Sequence, residues 1–177
     1  MISLFKFYVS CKIGKTSLSK KLVERFPNSV HVIQDNFFHN KESGKLEFIP
    51  EVNSFNYDCL EAIDAQKFNE YFNQVCSTPG LDFVFVDGFL LFYFDINFDR
   101  KYFFTLTKEE CKEKRAKRKY KTVDNPNYFE KLVWPSYLIY YEYCRRKFPD
   151  IIYLDGALPI EQNFKLVENE LKHLTEN

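Results

Sequence analysis

Apolar positions in the first part of the chain switch between a strand pattern and a helical pattern. The segment 2–9, ISLFKFYV, is rich in β-branched and aromatic residues and predicts a first strand. In 15–26, KTSLSKKLVERF, apolar residues recur at helical spacing and Pro27 follows, so we expect a helix that ends there. The segment 29–34, SVHVIQ, predicts a second strand that ends at Asp35.

The middle of the chain adds a loop, a helix and a strongly apolar strand. Residues 36–58 have no hydrophobic period and contain scattered Gly, Pro and Asn, which predicts a long loop of the kind that often serves function. Asp64 is expected to cap a helix that runs to Cys76. The segment 81–92, LDFVFVDGFLLF, is an almost unbroken apolar run, as a strand covered on both faces requires, and Asp87 interrupts it. The helix is expected to pack through one face formed by Phe68, Tyr71, Phe72 and Val75.

The alternation of strands and helices continues to the end of the chain. Pro135 lies inside a long predicted helix and is expected to kink it. The alternation predicts an α/β fold with a parallel sheet. No repeat or composition boundary divides the sequence, so we expect one domain over residues 1–177. The remaining predicted elements are strands at 101–107 and 150–156, and helices at 108–119, at 126–147 and after Pro159.

Composition and charge narrow the class of protein. Hydrophobic residues make up 45% and charged residues 28% of the chain, which is typical of a globular protein and not of a disordered one. Lys plus Arg and Asp plus Glu both total 25. The chain therefore lacks the net positive charge that would favour a nucleic-acid or membrane partner. Phe and Tyr are abundant, at 20 and 12, and we expect an aromatic core and ligand pocket.

Cysteine spacing and apolar runs indicate the compartment. The cysteines are odd in number, far apart and outside any C-x-x-C or Cys/His motif, so we expect thiols in a reducing compartment rather than a disulfide framework or a zinc site. The N-terminal apolar run stops at Ser10, too short for a signal peptide, and no stretch reaches transmembrane length. The expected location is the cytoplasm, with the nucleus as a second compartment. The cysteines are Cys11, Cys59, Cys76, Cys111 and Cys144.

Gly14, Lys15 and Thr16 form the most informative short motif. They follow the first predicted strand and open the first predicted helix, which is the context that a phosphate-binding loop requires. Backbone N–H groups at a helix start point at phosphates, and the helix dipole favours their charge. Lys15 is expected to point at the β- and γ-phosphates of ATP rather than into the core, and the Thr16 hydroxyl to bind Mg²⁺. The expected nucleotide contacts are Lys12, Ile13, Gly14, Lys15, Thr16 and Ser17.

Val9 stands where such a loop normally opens with glycine. Because a β-branched residue avoids positive φ, we expect Val9 to be extended, as the last residue of the first strand. The anion-binding N–H groups run from about Lys12 to Thr16 and do not depend on it. The Gly-Lys-Thr motif by itself is equally compatible with an ordinary strand–turn–helix that binds no phosphate.

Two aspartates at predicted strand ends strengthen the phosphate-loop interpretation. Asp35 ends the second strand and Asp87 ends the third. The carboxyl ends of parallel strands form one edge, where ligands bind, and the loop before Lys15 lies on the same edge. Two acids beside a phosphate loop suit Mg²⁺-dependent phosphoryl transfer, with one acid accepting the hydroxyl proton. Either aspartate alone is as readily explained as a cap for the next helix.

The segment 108–121, KEECKEKRAKRKYK, carries eight basic and three acidic residues. It fits a solvated helix with i,i+4 pairs such as Glu110–Lys114 and Glu113–Lys117. It also fits a basic lid that closes over phosphates. An RNA-binding face is the weakest interpretation, since no aromatic stacking platform lies beside the basic residues.

Seven stretches, in order and across nearly the whole chain, carry a family resemblance: GKTSL (14–18), QDNFFH (34–39), YDCLEA (57–62), DGFLLF (87–92), YFFTLTKEECKEKRAKRKY (102–120), DNPNYFEKLVWPSYLIYY (124–141) and YLDG (153–156). With them the chain resembles the nicotinamide riboside kinases, a branch of the uridine-kinase-like P-loop kinases. The resemblance implies a P-loop kinase fold with a five-stranded parallel sheet flanked by helices, plus a helical lid. It also implies ATP, Mg²⁺ and transfer of the γ-phosphoryl group to the 5′-hydroxyl of nicotinamide riboside, giving nicotinamide mononucleotide.

The resemblance also assigns roles to individual residues. Asp35 matches the proton-accepting aspartate and, with Thr16, the Mg²⁺ ligands, while Lys15 and Asp87 complete the implied catalytic set. Asp58 matches the residue that holds the ribose hydroxyls, and Arg115 its partner. Tyr57 and Tyr120 match the aromatic pair around the cationic nicotinamide ring, where each face contributes about 0.5–2 kcal/mol; ordinary core packing is the other explanation for both. The remaining implied contacts are Lys114 and Arg118 to ATP, and Asn36, Phe38 and Lys121 to the nucleoside.

Several departures from the family pattern keep alternatives open. Besides Val9, Asn36 replaces a second aspartate, Asp87 replaces a glutamate and Lys114 replaces an arginine, which loses the two-pronged geometry. The alternatives are a related uridine-type ribonucleoside kinase and a catalytically weak nucleotide-binding protein that serves as an interaction module. In each case we expect a small-molecule nucleoside or nucleotide ligand, no nucleic acid or membrane partner, and a monomer or weak homodimer.

Overall fold

A computed structural model describes residues 3–9, 14–117 and 126–175 of the chain. Five strands form one parallel sheet in the order β2-β5-β1-β6-β7, and β3 and β4 form a separate antiparallel hairpin. The five-stranded parallel sheet confirms the predicted α/β fold. The strands within the described residues are β1 (Ser3–Val9), β2 (Ser29–Ile33), β3 (Phe48–Ile49), β4 (Ser54–Phe55), β5 (Phe83–Gly88), β6 (Arg100–Thr105) and β7 (Ile152–Asp155).

Helices cover both faces of the sheet. On one face α2 and α5 pack against Val84 and Val86 of β5, and on the other face α1 and α6 pack against Phe83 and Phe85. Alternate β5 residues therefore enter opposite halves of the core, which explains the unbroken apolar run in the sequence. The helices are α1 (Lys15–Arg25), α2 (Ala65–Cys76), α3 (Lys108–Ala116), α4 (Pro126–Tyr128), α5 (Trp134–Lys147) and α6 (Ile160–Thr175).

The strand β5 is shorter than the apolar run 81–92 that predicted it. The chain leaves the sheet after Gly88 and makes a 3₁₀ turn at Leu91–Tyr93. Apolar character continues through this turn because Leu91 and Phe92 are fully buried. Burial therefore extends beyond the strand, and the sequence pattern alone does not mark where the strand ends.

The helix α2 begins as predicted. The carboxylate of Asp64 accepts a hydrogen bond from the backbone N–H of Lys67. The prediction that this helix packs through four apolar residues is wrong at Tyr71, which is 41% exposed, while Phe68 and Phe72 are buried. Tyr71 lies at the rim of this face and touches only the edge of the core, with its ring 5.5 Å from that of Phe37.

The kink expected at Pro135 takes the form of a π-helical turn. Between α4 and α5 the chain forms this turn at Phe129–Val133, and the N–H of Trp134 donates to the carbonyl of Phe129. Proline lacks an N–H, and its ring clashes with the carbonyl four residues earlier, which here belongs to Lys131. Widening the preceding turn accommodates that clash without ending the helix.

The segment expected to be a structureless loop contains the β3–β4 hairpin and 3₁₀ turns at Gln34–Phe37, Lys41–Ser43 and Pro50–Val52. Each hairpin strand has two residues, too few to produce an alternating pattern. Among the described residues no helix has the length and apolar character needed to cross a membrane.

The cysteines differ in part from expectation. Cys59, Cys76 and Cys144 are free thiols, but Cys111 is disulfide-bonded. Spacing along the chain does not show which cysteines the fold brings together, and the expectation of thiols alone is wrong at this position.

Candidate active site

The phosphate-loop motif opens α1 as its sequence predicts. Gly14 is the residue that precedes the helix and has φ 75°, a left-handed conformation that glycine adopts without strain. Thr16 is half-buried and Ser17 exposed in the first turn. Strand β1 ends at Val9, which confirms that Val9 is the last residue of the strand. Lys12 and Ile13 lie outside the described residues.

Lys15 is buried, with 2% of its surface exposed. Its Nζ lies 3.1 Å from Oδ1 of Asp87 and 3.4 Å from both carboxylate oxygens of Asp35. The expectation that Lys15 points away from the core is therefore wrong in this structure. The two carboxylates at the strand ends draw the ammonium inward, because a buried ammonium requires compensating charge and hydrogen bonds.

Asp87, at the end of β5, is fully buried and has a partner on each oxygen. Oδ1 accepts from Lys15, and Oδ2 accepts from Nε2 of His31 at 2.5 Å. Burial by itself raises the pKa of Asp87, but the His31 hydrogen bond and the Lys15 charge outweigh it, so the pKa lies below its ordinary value. Asp87 is therefore an anion held between two donors.

Gln34 and Gly88 fix the turn that carries Asp35. Gln34 is fully buried, and its Oε1 accepts from the backbone N–H of Leu90, just beyond β5. A Cβ at position 88 would lie 2.3 Å from Oε1 of Gln34, so only glycine permits this close packing. The contact joins the turn after β2 to the end of β5 and sets Asp35, which is 27% exposed, beside Lys15.

A second group of residues continues from this turn. The Phe38 and Tyr57 rings meet edge to face, with centroids 5.7 Å apart. Asp58 follows Tyr57, and its Oδ2 accepts a 2.9 Å hydrogen bond from the hydroxyl of Tyr128, which in turn accepts from the backbone N–H of Tyr57 at 3.0 Å. The guanidinium of Arg115 lies 5.7 Å from the centre of the Tyr128 ring.

Tyr128 is the anchor of this second group. It is buried, and burial first and the Asp58 charge second raise the pKa of its hydroxyl, which keeps the proton that it donates to Asp58. We call Phe38, Tyr57, Asp58 and Tyr128 the aromatic wall, and Lys15, His31, Asp35 and Asp87 the charged cluster.

Helix α3 is solvated in part, and two side chains of a pair that its spacing predicts, Glu110 and Lys114, make their hydrogen bonds to other groups. Glu110 accepts from the backbone N–H of Thr107 in a capping box, and the Nζ of Lys114 donates to the carbonyl of Gly156 at 2.8 Å. Lys114 therefore supports the turn after β7 in this structure. Two further lysines pair with Glu130 of the π-helical turn, at 2.6 Å and 2.9 Å: Lys108 and Lys112.

The structure brings most of the described candidate residues together and adds two. Asn36 is exposed in the same turn as Asp35. Arg118, Tyr120 and Lys121 lie outside the described residues. Sequence reasoning missed His31 and Tyr128. A histidine inside the apolar strand SVHVI was the one available signal for His31, while Tyr128 looked like one tyrosine among 12.

Comparisons with known proteins show what the chain is similar to. No protein-family model matches the chain. It is 34% identical over 175 residues to nicotinamide riboside kinase 1 of Rattus norvegicus, covering 90% of this chain and 88% of that protein. It is 28% identical to nicotinamide riboside kinase 2 of Homo sapiens, over 90% of this chain and 76% of that protein. The structure of thymidylate kinase from Candida albicans is similar to this one, with a TM-score of 0.53 over 98% of this chain and 92% of that chain. At 13% identity, this likeness shows the fold alone.

The fold is that of the P-loop kinases, with Gly14, Lys15 and Thr16 at the start of α1, and the named relatives show that the chain is a kinase, a nucleotide-binding transferase. Identity above 30% over most of both chains shows the family as well as the fold. The chain belongs to the nicotinamide riboside kinase family.

Proposed function

We propose that the protein transfers the γ-phosphoryl group of ATP to the 5′-hydroxyl of nicotinamide riboside, forming nicotinamide mononucleotide, in the cytoplasm. The observation that carries the proposal is the placement of Lys15 between Asp35 and Asp87 at the start of α1, in a chain of this family. Phosphoryl transfer depends on positioning and on stabilisation of negative charge, and this cluster offers both.

At the charged cluster, each side chain has a distinct role. Lys15 binds the β- and γ-phosphates beside the backbone N–H groups at the start of α1. Asp87 has both oxygens engaged and no exposed surface, so it holds Lys15 and does not receive a proton from the nucleoside. Asp35 is partly exposed, and it accepts the 5′-hydroxyl proton as transfer proceeds.

Mg²⁺ would be held by the Thr16 hydroxyl and the Asp35 carboxylate together with phosphate oxygens. These are hard oxygen donors, which Mg²⁺ prefers, and it is commonly bound by one or two carboxylates plus substrate phosphates. Among the described residues there is no cluster of three or more His, Cys, Asp or Glu side chains that could hold a metal. When bound, the ion would neutralise phosphate charge.

The aromatic wall would bind the nucleoside. Asp58, fixed by Tyr128, accepts hydrogen bonds from ribose hydroxyls, with Arg115 beside it. Tyr57 presents an aromatic ring to the nicotinamide, whose pyridinium charge is attracted to a π face. Phe38 holds Tyr57 from the side.

The test is phosphorylation of a nucleoside panel by the purified protein with Mg-ATP. We expect nicotinamide riboside to gain one phosphoryl group at the 5′ position, resolved by mass spectrometry and phosphorus NMR, and to outcompete uridine. Lys20→Ala, an exposed change on α1, is the control for Lys15→Ala. Faster turnover of uridine would replace the substrate assignment, and no turnover of any nucleoside would refute the proposed reaction.

A further inference from the structure

His31 is a polar residue in the middle of the apolar strand β2, and its side chain is only 12% exposed. Its backbone pairs with Phe85, two residues before Asp87 on the neighbouring strand. Because side chains alternate along a strand, Phe85 and Asp87 share one face of the sheet, and the His31 ring reaches diagonally along that face to the Asp87 carboxylate. Its Nε2 lies 2.5 Å from Oδ2 of Asp87.

The hydrogen bond from His31 decides which way the Asp87 carboxylate faces. With Oδ2 held by His31, Oδ1 is directed at Lys15, 3.1 Å away. Asp87 has no exposed surface, so without His31 the Oδ2 oxygen would be a buried acceptor that has lost its donor. Among the described residues, the strong donor that remains beside the carboxylate is Lys15, and the carboxylate would then turn toward it.

We propose that His31 is a positioning residue for phosphoryl transfer, acting through Asp87 on Lys15; this rests on the proposed kinase function. Lys15 is shared between two carboxylates, at 3.1 Å and 3.4 Å. A carboxylate that turns both oxygens toward Lys15 pulls the ammonium deeper, away from the phosphate that it stabilises during transfer. His31 prevents this by occupying one oxygen.

The expected signature is a loss of turnover without a loss of nucleoside affinity. The nucleoside would be bound at the aromatic wall, whose residues are separate from the His31–Asp87 pair, so its KM should change little. Lys15 acts on the transferring phosphoryl group, whose charge distribution changes most in the transition state, so kcat carries the effect. Loss of an outer partner that orients an active-site ligand typically reduces function by about 10- to 100-fold.

Two matched variants isolate the donated hydrogen bond. His31→Gln and His31→Met introduce unbranched side chains of similar length, but only glutamine can donate to Asp87. We expect His31→Met to lower kcat by about tenfold or more and His31→Gln to remain within about threefold of the wild type, each with little change in nucleoside KM. Val32→Ala, a core change on the opposite face of β2, controls for lost stability and is expected to keep kcat.

A second readout separates this proposal from the proposed function. Mg-ATP affinity, measured by calorimetry, and the urea midpoint of unfolding are compared for His31→Gln and His31→Met in wild-type and Asp87→Asn backgrounds. We expect His31→Met to have a lower Mg-ATP affinity and a lower urea midpoint than His31→Gln. The difference is expected to shrink in the Asp87→Asn background, where a neutral amide replaces the charged acceptor. These measurements need only Mg-ATP binding and unfolding, so they test the role of His31 even if the protein phosphorylates no nucleoside. That result would refute the proposed function and leave the role of His31 to be judged separately. Equal behaviour of the two variants in the wild-type background would overturn the role of His31.

Discussion

The charged cluster contains an ion pair that is withdrawn from water, whereas the carboxylate of the aromatic wall stays near water. Lys15 and Asp87 are 2% and 0% exposed and are bound to each other. Asp58 is half-buried and is held by the hydroxyl of Tyr128 rather than by close burial of its charge. One end of the candidate site is built around a buried ion pair, and the other around aromatic rings and the Tyr128 hydroxyl.

The difference follows from what each end would have to bind. A triphosphate chain carries the same charges whatever the base attached to it, so a fixed arrangement of buried charge serves it. Water is excluded where charge stabilisation is most effective. A nucleoside is distinguished by its ring and hydroxyl groups, which ring faces and hydrogen bonds recognise. We therefore expect changes in the charged cluster to act on kcat and on Mg-ATP affinity, and changes in the aromatic wall to act on nucleoside affinity and selectivity.

The strongest test of that division is Lys15→Ala. We expect turnover to fall by at least about 10³-fold, since the phosphates lose their cation. Breaking a buried ion pair leaves an uncompensated charge, so we also expect a loss of about 3 kcal/mol in the free energy of unfolding. This is near the lower end for such pairs, because His31 still donates a hydrogen bond to Asp87. Steady-state kinetics and urea unfolding measure the two effects.

The exposed lysine on the same helix provides the control for this change. Lys20→Ala alters the charge of α1 equally but lies outside the cluster, and we expect wild-type turnover and stability. If Lys15→Ala retained turnover, the charged cluster would be a structural ion pair and the division between the two ends would fail.

Asp35→Asn removes charge and basicity from the partly exposed carboxylate while nearly preserving its shape. General-base losses are commonly 10²–10⁴-fold, so we expect turnover to fall by about two orders of magnitude or more. The nucleoside dissociation constant is expected to stay within about tenfold of the wild type, because Asp58 and Arg115 still bind the ribose. Turnover and calorimetric binding are measured on the same protein; near-normal turnover would remove Asp35 as the proton acceptor.

The charged cluster was more accessible to sequence reasoning than the aromatic wall. Asp35 and Asp87 end parallel strands, and such ends share one edge of the sheet, so the rule that places them together needs only the strand pattern. His31 escaped it, because its contact with Asp87 spans 56 residues and a single histidine has no period. The same limit applies to Tyr128 and Asp58, which are 70 residues apart.

Packing explains the remaining differences between sequence and structure. Helical spacing placed Tyr71 on the buried face of α2, but spacing gives the direction of a side chain and not the width of the surface that covers it. Likewise, i,i+4 spacing offered Glu110 to Lys114, yet Glu110 caps α3 and Lys114 donates to Gly156. A capping bond at the helix start and a carbonyl from another turn of the fold outweighed a weak local pair.

Tyr57→Leu tests whether the aromatic wall selects a cationic ring. A ring face contributes about 0.5–2 kcal/mol toward a cation, so we expect kcat/KM for nicotinamide riboside to fall by about 2- to 30-fold, with a smaller loss for uridine. Tyr57→Phe keeps the ring and is expected to keep the preference. Competition between the two nucleosides gives the ratio directly, and equal losses for both would mean that Tyr57 supplies packing alone.

Tyr128→Phe is the finest test, because it removes one oxygen and keeps the buried ring. Asp58 loses the hydrogen bond that fixes its Oδ2, and the backbone N–H of Tyr57 loses its acceptor. A hydrogen bond to a partly solvated group contributes about 1 kcal/mol, so we expect the nucleoside KM to rise about fivefold. The charged cluster is untouched, and kcat is expected to stay within about twofold of the wild type.

Tyr153→Phe, at an exposed tyrosine of β7, serves as the control and is expected to change neither constant. A fall in kcat at constant KM would show that Tyr128 acts on the transfer itself, and the two ends of the site would then be one coupled unit.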